Sequence, residues 1–303
     1  MVGILFAIIK TARPRQWLKN LALFSTVLLT GHVFDDRLFM LTFWGFVSFC
    51  LLSSSNYIFN DVMDASRDRK HPFKKFRPVA SGLLSVPLAL GVSLIFVIVG
   101  LAIARSLGGT FFILSLLFIA LQYSYTLFLK HISVIDILAI TAAYFLRVYA
   151  GEAATGYHIS VWLALAALSL ALFLAIGKRR AELTLVQGYK GVLPHDTRVS
   201  LSHYSEKLLD TYTAMFANST FITYAFYTFL ERPVYRGAFN LPERKWMMVT
   251  IPFVLYGIMR YMQLIYEGKG ESPEKVLTSD LPLLSTVILW GASVFLVIYG
   301  IGG

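Results

Sequence analysis

The stretch that decides the fold is residues 53–82, SSSNYIFNDVMDASRDRKHPFKKFRPVASG. It begins inside an apolar segment and ends in a polar one. One asparagine and three aspartates stand where the two meet, and a run of basic residues follows. Ionisable groups beside a membrane-spanning segment are costly and usually serve a function. The stretch therefore predicts a membrane helix with a charged site at its end.

The composition of the whole chain is that of a membrane protein. The chain has 303 residues, of which 57% are hydrophobic and 15% are charged, and its mean hydropathy is +0.66. Soluble globular proteins average about 45–50% apolar and about 25% charged residues. A transmembrane helix needs about 20 predominantly apolar residues. Nine segments approach that length: 18–33, 38–60, 84–105, 109–128, 133–156, 160–177, 210–230, 245–266 and 281–300.

The segments leave no room for a separate soluble domain, so we predict an all-α, polytopic bundle of nine transmembrane helices that forms one domain over residues 1–303. Most of the 27 Lys and Arg residues fall on the side that carries the longer loops, near 61–83, 178–209 and 267–280. The positive-inside rule makes these loops cytoplasmic and gives an N-in/C-out topology. Topology then explains the formal charge of +10, and no nucleic acid is needed as a partner.

The N-terminal residues 1–17 are apolar, but they lack the basic region and the small-residue cleavage site of a signal peptide. We predict an interfacial N-terminal helix there, with Arg13, Arg15 and Trp17 at the level of the lipid headgroups. The single cysteine, Cys50, excludes a disulfide within the chain and a Cys/His metal cluster.

The acid motif, with the pattern N-D-x-x-D-x-x-x-D, consists of Asn60, Asp61, Asp64 and Asp68. An α-helix turns about 100° per residue, so one face collects Tyr57, either Asn60 or Asp61, Asp64 and Asp68. Oxygen ligands at this spacing suit Mg²⁺, which binds through one or two carboxylates, waters and substrate phosphates. The alternative is an ordinary polar helix end whose acids pair with Arg67, Arg69 and Lys70. We favour the metal–diphosphate site because the motif adjoins an apolar span.

Basic residues follow the acid motif directly: Arg69, Lys70, Lys74, Lys75 and Arg77. Positive-inside topology and contact with anionic lipid alone explain a basic loop. They do not explain why the bases directly follow an acid cluster of the Mg²⁺ type. A polyanionic substrate explains both halves, because metal ions shield its diphosphate and Lys or Arg side chains hold its other phosphates.

More polar side chains fall at or near the ends of later segments. Tyr125 lies near the end of the fourth segment, and Lys130 lies just after it. Lys130 either contributes to the site or extends its ammonium group to the membrane interface by snorkelling. Arg147 falls within the fifth segment, and an arginine at that depth needs an anionic partner from the chain or from a substrate. Lys178 and Arg179 end the sixth segment in GKRRAEL, where basic residues also suit the helix dipole.

These motifs resemble the UbiA superfamily of intramembrane prenyltransferases. The resemblance implies a helical bundle with a lipid-accessible central cavity. It also implies an isoprenyl diphosphate bound through Mg²⁺ on two aspartate-rich motifs, one after the second span and one after the sixth. The sixth span of this chain ends instead in the basic KRRAEL, residues 178–183.

A more extensive resemblance covers nearly the whole chain. RPRQWLKN (13–20), the acid and basic run 60–82, LKH (129–131) and GKRRAEL (177–183) are similar to one branch of the superfamily. That branch transfers phosphoribose from phosphoribosyl pyrophosphate (PRPP) to a polyprenyl phosphate, decaprenyl phosphate, for the arabinan of actinobacterial cell walls. The resemblance implies Mg²⁺ as the cofactor, membrane lipids as further partners, and an active site on the cytoplasmic face of the plasma membrane. A homo-oligomer is compatible with such a bundle.

On the basis of this resemblance we predict a role for each residue. The catalytic acids are Asp61, Asp64 and Asp68, which hold Mg²⁺ together with Asn60. The residues assigned to PRPP are Lys19, Tyr57, Lys70, Lys74, Arg77, Lys178 and Arg179. The residues assigned to the polyprenyl phosphate are Lys130, Arg147 and Tyr125.

Two other functions stay open on the sequence alone. A prenyltransferase that uses an aromatic or quinone-precursor acceptor would share the acid motif but would need fewer basic residues. A carrier of polyprenyl phosphates would use a basic site in the membrane, such as Arg147, but has little use for four oxygen ligands at its mouth.

Overall fold

A computed structural model describes residues 2–69, 74–188, 199–230, 246–269 and 273–301. Within these ranges the regular structure is helical, as the composition predicts. The α-helices are α1 (Val2–Ala12), α2 (Phe24–Leu29), α3 (Asp36–Met63), α4 (Ala65–Asp68), α5 (Val86–Ser106), α6 (Gly109–Leu127), α7 (Ile135–Thr155), α8 (Val161–Gly188), α9 (Glu206–Leu230), α10 (Ile251–Tyr266), α11 (Pro273–Ser279) and α12 (Leu281–Phe295). Short 3-10 segments cover Pro14–Leu23, Lys74–Phe76, Leu129–His131, Val199–His203 and Trp246–Thr250, and a π-helical turn covers Leu296–Ile301.

In the described part of the chain, seven helical stretches are long and apolar enough to cross a membrane. They are α3, α5, α6, α7, most of α8, Trp246–Tyr266 and Leu281–Gly300. The predicted segment 18–33 is instead a 3-10 segment followed by the six-residue α2. The predicted segment 210–230 lies within α9, whose many Thr, Tyr and Ser side chains make it less apolar than the seven.

The N-terminal residues 1–17 do not form one continuous helix. Helix α1 ends at Ala12, and Arg13 adopts the left-handed conformation, with φ of 53°, before the 3-10 segment begins at Pro14. Helix α1 buries Ala7 and exposes large apolar side chains such as Phe6 on its other side. An exposed apolar face of this kind is typical of helices in a membrane interface, and the interfacial position of α1 stays a prediction.

The first compact unit consists of Met1–Ser25, Asp35–Lys130 and Leu146–Gly156. In this unit α3 packs against α1, α5 and α6. The approach of α7 to the 3-10 segment after α1 requires a glycine, because a Cβ atom at Gly151 would overlap the backbone carbonyl of Leu23.

A small apolar core in the first unit fixes the end of α3 that carries the acid motif. Its members come from α1, α3, α4, α5 and the loop before α5: Ala7, Ile58, Ala65, Val79, Leu84 and Ala89. Burying a Val, Leu or Ile side chain contributes about 1.5–3 kcal/mol relative to leaving it in water. The core therefore holds the polypeptide on both sides of the charged stretch.

The second compact unit consists of Thr26–Phe34, His131–Phe145 and Tyr157–Gly303. In this unit α8 packs against α9 and α10, and α10 packs against α12. The contact between α8 and α10 is close, because a Cβ atom at Gly177 would lie 2.5 Å from Cδ1 of Ile265. The apolar cluster around this contact includes Phe173 and Leu264.

Candidate functional site

The acid motif occupies the end of α3 and the short helix α4, in the first unit. Backbone hydrogen bonds continue through it, although α3 ends at Met63. The Asp64 N–H donates to the Asn60 carbonyl over 2.9 Å, and the Asp68 N–H donates to the Asp64 carbonyl over 2.8 Å. The predicted helical spacing of the motif is therefore confirmed.

One side of the acid motif is built around Lys130, which lies in the 3-10 segment after α6. Lys130 Nζ is 3.0 Å and 3.2 Å from the two carboxylate oxygens of Asp64, and 3.5 Å from Oδ1 of Asn60. Lys130 is buried, whereas the Asp64 side chain is 20% exposed. The ammonium group therefore points at the motif and does not snorkel to the surface.

The other side of the acid motif is built from two arginines. Nη2 of Arg13 lies 2.5 Å from Oδ1 of Asp61, and Nη1 of Arg77 lies 3.2 Å from the same oxygen. Nη1 of Arg77 also lies 2.8 Å from Oδ2 of Asp68. The Asp61 side chain is only 2% exposed, while the side chains of Arg13 and Arg77 are 29% and 27% exposed.

The shared helix face predicts one cluster of like-charged carboxylates. The structure differs, because each carboxylate is paired with a basic side chain. These partners are not the neighbouring bases of the alternative interpretation. Arg67 is exposed, and Arg69 Nε donates to the Ala80 carbonyl over 3.2 Å. Arg77 comes from the end of the basic run, nine positions after Asp68. Arg13 and Lys130 come from segments distant in the sequence, because packing within the unit brings those segments to the end of α3.

The residues present fit a Mg²⁺ ion that has few protein ligands. Among the described residues, no three or more His, Cys, Asp or Glu side chains are grouped to hold a metal. Asn60 and Asp64 nevertheless converge on a single atom, Lys130 Nζ, and Asp64 is partly open to solvent. Mg²⁺ commonly binds through one or two carboxylates and takes its other ligands from water and substrate phosphates.

Several residues predicted to bind PRPP lie in the first unit. Tyr57 OH donates to Oε1 of Gln16 over 3.2 Å, and its ring lies 5.2 Å from the guanidinium carbon of Arg13. Lys19 and Lys74 are half-buried, in the 3-10 segments Pro14–Leu23 and Lys74–Phe76. Lys70 lies outside the described residues.

Arg147, predicted to bind the polyprenyl phosphate, is buried within the first unit. Its Nε donates to Oδ1 of Asn20 over 2.7 Å, and its guanidinium carbon lies 4.7 Å from the centre of the Phe118 ring. Asn20 in turn donates from Nδ2 to the sulfur of Cys50 over 3.3 Å. The arginine is thus part of a buried polar network. Tyr125, predicted to bind the same substrate, is half-buried on α6.

Arg179, predicted to bind PRPP, is fully buried in the second unit. Its Nε lies 2.7 Å from Oδ2 of Asp136, and its Nη1 lies 2.6 Å from Oε2 of Glu182. Ser200 Oγ also donates to Oδ2 of Asp136, over 3.1 Å. These contacts favour a structural role for Arg179. Lys178, the residue before it, is half-buried.

Tyr204 completes the cluster around Asp136. Its hydroxyl donates to Oδ1 of Asp136 over 2.7 Å and accepts from the Val134 N–H over 2.5 Å. Burial raises the pKa of the Tyr204 hydroxyl, and the Asp136 carboxylate raises it further, so the hydroxyl stays protonated as a donor. Val134 has a φ of 67°, an unfavourable backbone conformation for a β-branched residue. The cluster holds this turn in place.

The second arginine of GKRRAEL is also used internally. Arg180 Nη2 lies 2.9 Å from Oε2 of Glu206, and its Nε lies 2.7 Å from Oδ1 of Asp210. Its guanidinium carbon lies 5.6 Å from the Tyr266 ring centre. Arg180 therefore ties α8 to α9 and α10 within the second unit.

Sequence reasoning missed the contribution of Arg13 to the site. Arg13 belongs to the quoted motif RPRQWLKN, but the sequence places it only at the headgroup level. The left-handed conformation that directs it to Asp61 leaves no signal in the residue type. The role of Tyr204 was missed for a similar reason, because its partner Asp136 lies 68 positions away in the chain.

Comparison with known proteins decides the family. Residues 21–283 match the model of the UbiA prenyltransferase family. The chain belongs to the UbiA prenyltransferase family. Its apolar helices and its membership of this membrane-protein family make it an integral membrane protein.

Within the UbiA family, the chain is similar to proteins named decaprenyl-phosphate phosphoribosyltransferase. The one from Corynebacterium glutamicum is 32% identical over 301 residues, which cover 96% of this chain and 86% of that protein. The one from Mycobacterium tuberculosis is 32% identical over 297 residues, which cover 96% of this chain and 94% of that protein. The predicted resemblance is therefore confirmed.

A solved structure supports the UbiA fold. The structure of a UbiA homologue from Archaeoglobus fulgidus bound to GPP and Mg²⁺ superimposes with a TM-score of 0.71. The match covers 96% of this chain and 99% of the archaeal chain, at 22% sequence identity.

Proposed function

We propose that this chain transfers 5-phosphoribose from PRPP to decaprenyl phosphate or a related polyprenyl phosphate and releases diphosphate. The products would be polyprenylphosphoryl-5-phosphoribose and diphosphate, a step toward arabinan precursors of the cell wall. Similarity to the two named phosphoribosyltransferases over 96% of the chain supports this proposal.

The observation that carries the proposal is the pairing of the acid motif with basic side chains. Lys130, Arg13 and Arg77 all contact its carboxylates within the first unit. PRPP has a diphosphate on C1 and a phosphate on C5, and the acceptor has a further phosphate. A substrate pair with this much negative charge needs both oxygen ligands for a metal and several cationic donors.

Asn60 and Asp64 would hold Mg²⁺ in this enzyme. The bound metal would neutralise charge on the diphosphate of the donor. A carboxamide and a carboxylate at i and i+4 provide oxygen ligands on one side of the helix end, whereas the Asp68 side chain is 5% exposed and lies 2.8 Å from Arg77. The 20% exposure of the Asp64 side chain leaves room for water and phosphate ligands.

The residues of the chain would act mainly by positioning and by electrostatics. The bond between C1 and the diphosphate oxygen breaks, and a phosphate oxygen of the acceptor forms the new bond to C1 from the opposite face. The α configuration of the donor becomes β in the product, and diphosphate leaves with the electron pair of the broken bond. The attacking phosphate is already anionic near neutral pH, so no strong general base is required.

Lys130 is our candidate for the acceptor phosphate, with Arg147 and Tyr125 as further candidates. Its contact with Asp64 puts an ammonium group beside the metal ligands, near the place where the two substrates must meet. Lys19, Tyr57, Lys74 and Arg77 remain candidates for the donor, and Lys70 and Lys178 are weaker ones. The prenyl tail would lie between helices, open to lipid.

The finer topology belongs to the same proposal. We place nine spans in the membrane, with the N-terminus inside and the C-terminus outside, as one multi-pass domain in the plasma membrane. The acid motif and the basic loops would then face the cytoplasm, where PRPP is made. The distribution of Lys and Arg supports this orientation. A homo-oligomer of such bundles stays a prediction.

One experiment tests the reaction. Membranes that contain the protein are incubated with Mg²⁺, a polyprenyl phosphate and PRPP labelled in the ribose, and label is measured in the lipid phase. We expect label to enter the lipid only when all three components are present. Prenylation of an aromatic acceptor from an isoprenyl diphosphate, with no label transfer from PRPP, would instead assign the chain to the prenyltransferases of its family.

A further inference from the structure

Arg13 and Asp61 form an ion pair that the sequence did not predict. Asp61 was predicted to bind the metal, and Arg13 was assigned to neither the metal site nor the donor site. We propose that Arg13 binds the 5-phosphate of the donor together with Arg77, and that Asp61 is a positioning residue for the two arginines and not a metal ligand. The proposal rests on the proposed function, because it names a donor with two phosphate groups.

The surroundings of Asp61 differ from those that a Mg²⁺ ligand needs. Its side chain is 2% exposed, and one carboxylate oxygen receives hydrogen bonds from both Arg13 and Arg77. Mg²⁺ dehydrates reluctantly and usually keeps several water ligands. A buried oxygen that already has two guanidinium partners offers little space for such an ion, whereas Asp64 is ten times more exposed, at 20%.

The conformation of Arg13 is strained, and its contacts hold it there. Its φ of 53° is in the left-handed region, which is unfavourable for a residue with a Cβ. The residue before a proline also favours an extended backbone, and Pro14 follows. The ion pair with Asp61 and the Tyr57 ring 5.2 Å away oppose this strain. Strain of this kind persists where surrounding contacts over-determine it, often at functional sites.

The two guanidinium groups are arranged to receive an anion. Arg13 and Arg77 meet at one oxygen of Asp61, and their side chains are 29% and 27% exposed. Each guanidinium group has five N–H donors, and their hydrogen bonds within the described residues use only some of them. The remaining N–H groups match the oxygens of a phosphate.

The acid motif then has two faces for the two ends of the donor. Asn60 and Asp64 form the face that suits a metal-bound diphosphate, and Lys130 lies beside them. Asp61, Arg13 and Arg77 form the face that suits a phosphate without a metal. PRPP carries its diphosphate and its 5-phosphate at opposite ends of the ribose, so one donor spans both faces.

The test uses the full-length enzyme in membranes and compares two donor-site ligands. PRPP is the substrate, and ribose 1-pyrophosphate, which lacks the 5-phosphate, is added as a competing donor-site ligand whose inhibition constant is measured. For Arg13→Gln we expect the KM for PRPP to rise roughly ten- to a hundredfold, with an unchanged inhibition constant for ribose 1-pyrophosphate. Arg13→Lys should recover part of the loss. An equal rise in both constants would assign Arg13 to the diphosphate, and no rise would remove it from the site; either result overturns the proposal.

Asp61→Asn tests the positioning role. We expect the KM for PRPP to rise while the Mg²⁺ concentration that gives half-maximal activity stays the same. A higher Mg²⁺ requirement would make Asp61 a metal ligand and overturn the proposal. If Asp61→Asn does not fold, Arg13→Gln still tests the binding of the 5-phosphate. The Arg13 side chain is partly exposed, and its removal leaves Arg77 paired with the buried Asp61 carboxylate.

Arg15→Gln is the matched control, since Arg15 is an exposed arginine two positions away and its loss changes the net charge equally. We expect its KM for PRPP to equal that of the wild type, and an equal rise in Arg15→Gln would overturn a specific role for Arg13. Wild-type protein that transfers no label from PRPP would overturn the proposed function itself, which is a different outcome from wild-type transfer without an Arg13 effect.

Discussion

At the scale of single residues, the carboxylates of the acid motif differ in partner and in exposure. Asp64 faces Lys130 and is partly exposed, whereas Asp61 is buried against Arg13 and Arg77. The sequence pattern predicts the same metal-binding role for both aspartates. Their different surroundings allow their roles to be separated by mutation.

Asp64→Asn should leave the fold intact and remove metal-dependent transfer. An amide is a neutral and weaker ligand for Mg²⁺, so we expect kcat/KM to fall by roughly 10²–10³-fold. The measurement is label transfer from PRPP into lipid over a range of Mg²⁺ concentrations, with EDTA-treated wild type as the reference without metal. Near-normal turnover in Asp64→Asn would contradict the metal assignment.

Lys130→Ala should raise the KM for the polyprenyl phosphate more than the KM for PRPP. The loss of one charge-assisted hydrogen bond, about 1.5–3 kcal/mol, corresponds to an increase of about tenfold or more. Initial rates with each substrate varied in turn provide the two constants. The reverse order would assign Lys130 to the donor diphosphate, as its contact with Asp64 also permits.

At the scale of helices, GKRRAEL is an internal connection of the second unit. Arg179 joins α8 to Asp136 on α7, and Arg180 joins α8 to α9. The basic residues stand where the UbiA resemblance leads one to expect a second aspartate motif. Their observed contacts are with carboxylates of the same unit, so their main effect should be on stability.

Asp136→Asn should destabilise the protein strongly. Asp136 is the fully buried partner of Arg179, which would keep only the partly exposed Glu182, and removing one partner from a buried ion pair costs about 3–5 kcal/mol. The midpoint of thermal unfolding of the detergent-solubilised protein measures the effect. Asp210→Asn is the control, because Arg180 keeps Glu206 and the Asp210 side chain is 35% exposed. Equal midpoints for the two variants would show that the buried ion pair of Asp136 contributes no more to stability than the exposed ion pair of Asp210.

At the scale of the whole molecule, the clearest patterns in the sequence are the long apolar segments and the uneven distribution of Lys and Arg, and both are typical of a membrane protein. Seven of the nine predicted spans lie in helices that meet the length and hydropathy of a membrane crossing, among the described residues. The remaining two predictions fall on the 3-10 segment with α2 and on the more polar α9. Orientation depends on the unequal distribution of Lys and Arg over the loops.

The orientation can be tested with single cysteines, since Cys50 is the only cysteine of the chain. In a Cys50→Ser background, Ser106→Cys should react with a membrane-impermeant thiol reagent added to whole cells. Lys207→Cys should react only after the cells are opened. Both positions are exposed, so differences in burial do not explain the result. Labelling of Lys207→Cys in intact cells would reverse the predicted topology.

The sequence by itself determined the membrane class, the position of most apolar helices and the composition of the acid motif. These properties depend on local composition and on spacing along one helix, which the order of residues contains directly. The tertiary structure decided which base meets which acid. Arg13 meets Asp61 across 48 positions and Lys130 meets Asp64 across 66 positions. Such pairs form only when distant segments pack together, and no local pattern records that packing.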